Sequence, residues 1–148
     1  MPKRVAQKVV IYTVSNGQLL VFRHVDFSYE EVGIQVPAGS IRQNETPTEA
    51  ALRELREETG YDDFEIVAAL GTAMYDITPY REELQERHFF LAKPTAILPK
   101  RWYSKEEHDG QQSPTEFECF WIPIAHGHVL QSGHGALLWK VSEVREGT

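Results

Sequence analysis

Residues Gly39–Tyr61 read GSIRQNETPTEAALRELREETGY, and the pattern inside this stretch decides the fold around it. Thr46 is a good helix N-cap, Pro47 suits the first helical position, and Glu49 completes a capping box with Thr46. The helix so opened is predicted to run to about Thr59, with Gly60 as the residue that ends it. Residues three and four apart on a helix share a face, so Glu54, Glu57 and Glu58 fall together on one side. Ala51, Leu52, Leu55 and Thr59 are expected on the side turned to the core. Arg53 stands four residues from both Glu49 and Glu57 and can brace them. Carboxylates crowded in this way cost stability unless a cation neutralises them. An all-oxygen donor set favours Mg²⁺ or Mn²⁺.

Working outward, Val5–Val14 has β-branched character, and Asn16-Gly17 is a strong two-residue hairpin signal. Gln18–Val25 returns as the partner strand, and a short strand is expected around Ile34–Val36. Pro37-Ala38-Gly39 reads as a turn into the helix-bearing stretch. Beyond it, Phe64–Tyr75 is rich in strand formers and predicts one strand or two short pieces. Thr78–Glu86 reads as a loop in which Glu82, Glu83 and Glu86 are solvated charges. RHFFLAK, Arg87–Lys93, is a strand closed by Pro94, and Glu116–Ile122 is another closed by Pro123. Between them Pro94–Thr115 is too long for an inert connector; it is expected to shape a pocket or a homodimer contact. Ala136–Val144 predicts a terminal helix. Strands before and after a central helix indicate α+β or α/β layers.

The spacing from Gly39 to Tyr61 resembles the Nudix box, G-x5-E-x7-R-E-U-x-E-E-x-G-U with U an aliphatic residue. Gly39, Glu45, Arg53, Glu54, Leu55, Glu57, Glu58 and Gly60 stand at its positions. Tyr61 is the one departure, an aromatic where an aliphatic side chain is commoner. The resemblance implies a Nudix fold, a mixed β-sheet sandwiched between α-helices. It also implies a pyrophosphohydrolase that uses Mg²⁺ (or Mn²⁺) and water to cleave a diphosphate linkage in a nucleoside diphosphate derivative or nucleoside triphosphate. By motif position, Gly39 would offer a backbone carbonyl to the metal, with Glu54, Glu57 and Glu58 as carboxylate ligands. Arg53 would orient them, and Glu45 would fix the loop beside Arg53. Glu57 is counted with Glu54 and Arg53 among the catalytic residues, and the general base stays open between the box, where Glu54 is the candidate, and a later carboxylate, Glu118, which resembles a late glutamate of the family. The alternative is a catalytically silent nucleotide-binding or regulatory module, against which the complete set of glutamates speaks. An isoprenoid diphosphate isomerase, similar in fold, is set aside because the one cysteine lies downstream of the box.

A chain of 148 residues suits one domain with a single core, and 41% hydrophobic with 25% charged residues is ordinary for a soluble globular protein. The basic and then apolar start, MPKRVAQKVVIYTV, continues into the Asn16-Gly17 turn without a cleavage site and reads as the first strand. No apolar run is long enough to cross a bilayer. The lone Cys119 fits a reducing cytosol and a small buried side chain. A net charge of −7 argues against stable nucleic-acid binding, and an RNA-processing role fits less well for the same reason. It does not argue against a polyphosphate bridged by a metal. Arg23, Arg42, Arg81, Arg87 and Lys93 are candidate phosphate contacts, with Arg23 and Arg42 foremost for substrate binding. Phe27, Tyr29, Tyr75, Tyr80, Trp102 and Tyr103 are candidates for base stacking. His88 is expected to be satisfied and partly buried. His126, His128 and His134 are too irregularly spaced for a zinc site.

Overall fold

The β-branched opening forms strand β1 (Arg4–Ser15), and Asn16-Gly17 turns it into β2 (Gln18–His24). Both turn residues have positive φ, 52° and 75°, as a primed hairpin turn requires. The order continues with β3 (Ala38–Ser40), α1 (Pro47–Thr59), β4 (Phe64–Asp76), β5 (Glu83–Pro94), β6 (Arg101–Glu106) and β7 (Thr115–Pro123). A 3-10 helix, Ile124–Val129, leads to α2 (Trp139–Glu146). The computed structural model describes residues 4–25, 33–78, 82–107, 114–131 and 133–146. Among these, no helix is long and apolar enough to cross a membrane.

The strands form one mixed sheet in the order β4-β5-β1-β2-β7-β6, with β3 added beside β1. The pair β1–β5 is parallel; the other pairs are antiparallel. Alternation along β1 divides the core. Val9 and Ile11 join Phe22, Phe90, Phe117 and the helix residues Ala50, Ala51 and Leu55 on one face. Val10 and Tyr12 join Val21, Phe89, Phe120 and Val141 of α2 on the other. The sheet therefore lies between α1 and α2, the architecture the motif implied.

Several local expectations change. Leu52 is 38% exposed while Ala50 is fully buried, because the covered stripe of α1 runs through 50/51, 54/55 and 58/59. Pro37–Gly39 is more than a turn, since Ala38–Ser40 pairs with β1. Around Ile34–Val36 there are isolated bridges, Gln35 to Phe22 and Ile34 to Leu130, in place of a strand. Phe64–Asp76 is one strand, bent by register shifts at Ile66/Ala68 and Ala69/Gly71. β5 begins at Glu83, not Arg87, because β1 continues its parallel ladder down to Arg4↔Glu83. Glu83 is consequently buried and is not a solvated loop charge. Within Pro94–Thr115 lies an unforeseen strand, β6, whose RWYSKE alternates at the sheet edge where charged residues discourage further pairing. The terminal helix starts at Trp139, after turns.

Candidate active site

Helix α1 is fixed at both ends by the chemistry read from its sequence. Glu49 N–H donates to Thr46 Oγ1 (3.1 Å) and Thr46 N–H to Glu49 Oε1 (2.9 Å). Gly60 closes the helix at φ 81°, its N–H bonded to Arg56 O. Strand β6 holds the same end from the side. Trp102 Nε1–H donates to Thr59 O at 2.7 Å, and Ser104 Oγ–H donates to Glu58 O. These bonds satisfy carbonyls that a helix C-terminus leaves open, and they set the last turn bearing Glu58.

Arg53 organises the box. Its Nε and Nη2 donate to Glu45 at 2.7 and 2.9 Å, and Nη2 also reaches Ser40 O at 2.7 Å. Nη1 donates to Glu54 at 2.8 Å and Glu57 at 3.2 Å. The Arg53 hydrogen bond is the main reason the Glu45 carboxyl is pushed down to about 2. Glu45 in turn accepts Arg42 N–H at 2.9 Å, tying the loop to the helix.

The structure brings Glu54 and Glu58 together and turns Glu57 toward Arg53 and Arg42, whose Nη2 lies 3.3 Å from it. Glu54 and Glu58 are both buried and hydrogen-bonded to each other. Burial first, then the neighbouring Glu54 carboxylate, raises Glu58 well above the usual carboxylate range; burial also raises Glu54. Ala38 N–H donates to Glu58 at 3.1 Å. Among the described residues no three His, Cys, Asp or Glu side chains form a ready cage. The donor set nonetheless fits a Mg²⁺-type ion, which takes one or two carboxylates, keeps several waters and completes its shell with substrate phosphate. Gly39 bears on the same fit. A Cβ there would stand 2.1 Å from Glu54 Cδ, so glycine alone lets that carboxylate lie against the Gly39 backbone.

A cavity of about 390 Å³ opens over this pair. Gly39, Glu54 and Glu58 line it together with Lys8, Gln85 and Arg87, and with the aromatic group Phe22, His24 and Phe117. The rings of that group touch edge-on or tilted, with centroids 4.8 to 5.9 Å apart. Arg42 borders a second recess, of about 270 Å³, with Arg56, Glu57 and Lys105.

Glu118 and Arg23 are placed elsewhere. They face each other across the β2–β7 ladder on the sheet face of Phe120, away from α1. Arg23 Nε donates to Glu118 at 2.6 Å, and Arg101 binds its other oxygen. Arg101, then Arg23, hold the Glu118 carboxyl below its ordinary range. The structure therefore does not join Glu118 or Arg23 to the Glu54–Glu58 pair. Tyr75 stacks beneath Arg87, Trp102 docks on α1, and Tyr103 is exposed. Arg81, Phe27, Tyr29 and Tyr80 lie outside the described residues. His88 is satisfied by Gln7 at 2.8 Å. His134 is buried and accepts Val36 N–H at Nδ1. Burial pushes the Cys119 thiol up to about 12, and the thiol rests against Glu58 O. Lys8 was not singled out from sequence; its place beside the box depends on the pairing of β1 with β3 and β5.

The family model of the NUDIX domain matches residues 2–136. The chain belongs to the NUDIX domain family. This NUDIX chain is 29% identical over 92 residues to an "ADP-ribose pyrophosphatase" of Bacillus subtilis, a match covering 62% of the chain and 48% of that protein. It is 31% identical over 135 residues to an "RNA pyrophosphohydrolase" of Xanthomonas campestris pv. campestris, covering 84% and 63%. The chain thus spans about half to two thirds of the length of these curated relatives. In fold it is similar to the MutT protein of Methanosarcina mazei Go1, with a TM-score of 0.69, 16% identity and 99% of each chain covered.

Proposed function

We propose that this NUDIX chain is a hydrolase that cleaves a diphosphate linkage in a nucleoside diphosphate derivative or nucleoside triphosphate, by attack of water at phosphorus with Mg²⁺ or Mn²⁺ bound. The observation that carries this reading is the buried Glu54–Glu58 pair set against Gly39 at one end of a cavity large enough for a nucleotide moiety. Two buried carboxylates held together are costly even with Arg53 against Glu54, and a divalent cation offsets that cost.

Glu54, Glu58 and the Gly39 carbonyl are the residues assigned to the ion, with Glu57 adjoining through Arg53. A bound divalent cation supplies charge neutralisation of the diphosphate and activation of water. Arg53 holds Glu54 and Glu57 in position, and Glu45 holds Arg53. Glu57, the most accessible of the three box glutamates of α1, is the proposed proton acceptor for the attacking water. Glu118, clamped by two guanidiniums on the far sheet face, is assigned a structural part in place of the general-base role read from its sequence. Arg42, beside Glu57, is assigned to the leaving phosphate. The names of both curated relatives, a pyrophosphatase and a pyrophosphohydrolase, support the reaction class. Buried Cys119 is compatible with a reducing, cytoplasmic setting.

The test is a screen of nucleoside triphosphates, nucleotide sugars and dinucleoside polyphosphates with Mg²⁺, Mn²⁺ or EDTA, for wild type and Glu58→Gln. Metal-dependent release of monophosphate or pyrophosphate by wild type, reduced at least a hundredfold in the variant, is expected. Ligand-induced melting shifts with no product released would replace the enzyme with a nucleotide-binding module.

A further inference from the structure

His134, in the turns that precede α2, carries a buried imidazole, 6% exposed, that the proposed reaction does not use. Three hydrogen bonds fix the residue. Its N–H donates to Gln131 O at 3.1 Å, its carbonyl accepts from the Tyr12 hydroxyl, and its Nδ1 accepts from Val36 N–H at 3.2 Å. An imidazole nitrogen that accepts carries no hydrogen, so the hydrogen of the neutral ring is on Nε2. Turning the ring over would set a carbon against the Val36 amide and orphan a buried donor. Burial and the nearby Arg87 both disfavour the imidazolium, which keeps the ring in this neutral form.

Among the described residues no acceptor is bonded to Nε2. The atom is not sealed in either, since among those residues the fully buried side-chain nitrogen or oxygen without a partner is Thr13 Oγ1. The Nε2–H donor therefore reaches open space. The cavity that His134 lines is the one of about 390 Å³ that holds Glu54 and Glu58.

The surroundings of this donor suit a flat, neutral group. Gln35 bridges to Phe22, and the next residue, Val36, holds His134. Phe22 meets Phe117 edge-on at 4.8 Å, and both rings line the cavity with Val10 and Val36. Ala38 gives its N–H to Glu58 at 3.1 Å. Two residues of backbone, from Val36 to Ala38, span at most about 7 Å. His134 and Glu58 are thus anchored close enough for one nucleotide to meet both. An uncharged N–H is a modest partner for a phosphate, which metal ions and charged donors bind more strongly. For a carbonyl or ring nitrogen it is a good one. Inside a cavity such a bond discriminates, because a ligand without the acceptor leaves the donor unpaired.

We infer that His134 is a specificity residue whose Nε2–H donates to an acceptor on the edge of the substrate's nucleobase, while the diphosphate lies at the Glu54–Glu58 end. The inference rests on the proposed hydrolase reading and deepens it: the substrate is chosen by its base and not by its phosphates alone.

The probes are the four common nucleoside 5′-monophosphates and ribose 5-phosphate, titrated calorimetrically in EDTA, where neither metal nor turnover contributes. Wild type should bind the best of the nucleotides at least tenfold more tightly than ribose 5-phosphate. His134→Asn keeps an acceptor where Nδ1 stands and puts nothing at Nε2, so that advantage should be lost. His134→Gln puts an amide N–H near Nε2 and gives up the Val36 bond, so the advantage should survive. Urea denaturation should rank the two variants the opposite way, with His134→Asn the more stable. A purely structural part for His134 would make affinity follow stability instead. Histidine-selective ¹⁵N spectra of wild type need no variant: the Nε2–H resonance should shift with the nucleotide and not with ribose 5-phosphate. Nucleotides bound no better than ribose 5-phosphate by wild type, affinity that tracks stability in the variants, or an unmoved Nε2–H resonance with nucleotide bound overturns the assignment. Base-selective binding without metal-dependent turnover would strike the hydrolase reading and leave His134 its role.

Discussion

Gly39 and Glu54 occupy space that a single methyl group would contest: a Cβ on Gly39 would lie 2.1 Å from Glu54 Cδ and 2.2 Å from its Oε1. The backbone of β3 and the side chain of α1 are thus fitted to each other at the one place where a cation is proposed to sit. Because the contested atoms end a flexible side chain, Gly39→Ala should displace the carboxylate and leave the fold in place. Turnover should fall about a hundredfold, the size expected for a misplacement of about 1 Å, with the melting temperature shifted by only a few degrees. A melting curve and a steady-state assay on the same preparation check both halves.

Glu58→Gln should separate stability from activity. The wild-type protein without metal buries two carboxyls whose pKa values are both raised by burial, with that of Glu58 raised further by neighbouring Glu54. Removing one charge should stabilise the metal-free protein by roughly 1 kcal/mol, measured by urea denaturation in EDTA. The stabilisation that Mg²⁺ gives wild type through linkage should vanish in the variant. A variant less stable than wild type in EDTA would contradict the charge argument.

Tyr12 ties the C-terminal segment to the central strand. Its hydroxyl donates to His134 O and accepts from Leu137 N–H at 3.2 Å, all at a fully buried ring. Burial accordingly raises its pKa. Tyr12→Phe keeps the packing but leaves a carbonyl and an amide without that partner, so a loss of about 2–3 kcal/mol is expected in chemical denaturation. Faster amide exchange at Leu137 should accompany it.

His134 makes stability depend on pH in a predictable direction. Burial, then nearby Arg87, lowers its pKa from 6.5 to about 3, and Nδ1 accepts Val36 N–H at 3.2 Å, which needs the neutral ring. Between these two values the unfolded chain binds the extra proton. The contribution of His134 is therefore complete above pH 6.5 and is lost as pH falls toward 3, by up to about 1.4 kcal/mol per pH unit. The difference in unfolding free energy between wild type and His134→Gln should shrink by that slope on acidification. A difference constant from pH 7 to pH 4.5 would contradict the buried neutral ring.

Local chemistry made α1 legible in advance, because Thr46, Glu49 and Gly60 act within a few residues of themselves. The hydrophobic pattern misled on one point: it put Leu52 inside and the glutamates outside. The buried stripe instead carries Glu54 and Glu58 beside Ala51 and Leu55, a placement that apolar periodicity alone does not favour. The alternation of β7 correctly put Glu118 on the side of Phe120. Which side α1 would cover was a tertiary matter, and it left Glu118 and Arg23 on the other one. β6 escaped notice because an edge strand with alternating charges looks like a loop until Trp102 and Ser104 find the end of α1.

The central claim, that Glu54 and Glu58 together hold a divalent cation, is tested most directly by titrating the protein with Mn²⁺ and following the EPR signal of the free ion, with no nucleotide present. Wild type should remove Mn²⁺ from solution, and Glu54→Gln and Glu58→Gln should each weaken that binding at least tenfold. Equal affinity in wild type and both variants would contradict the account.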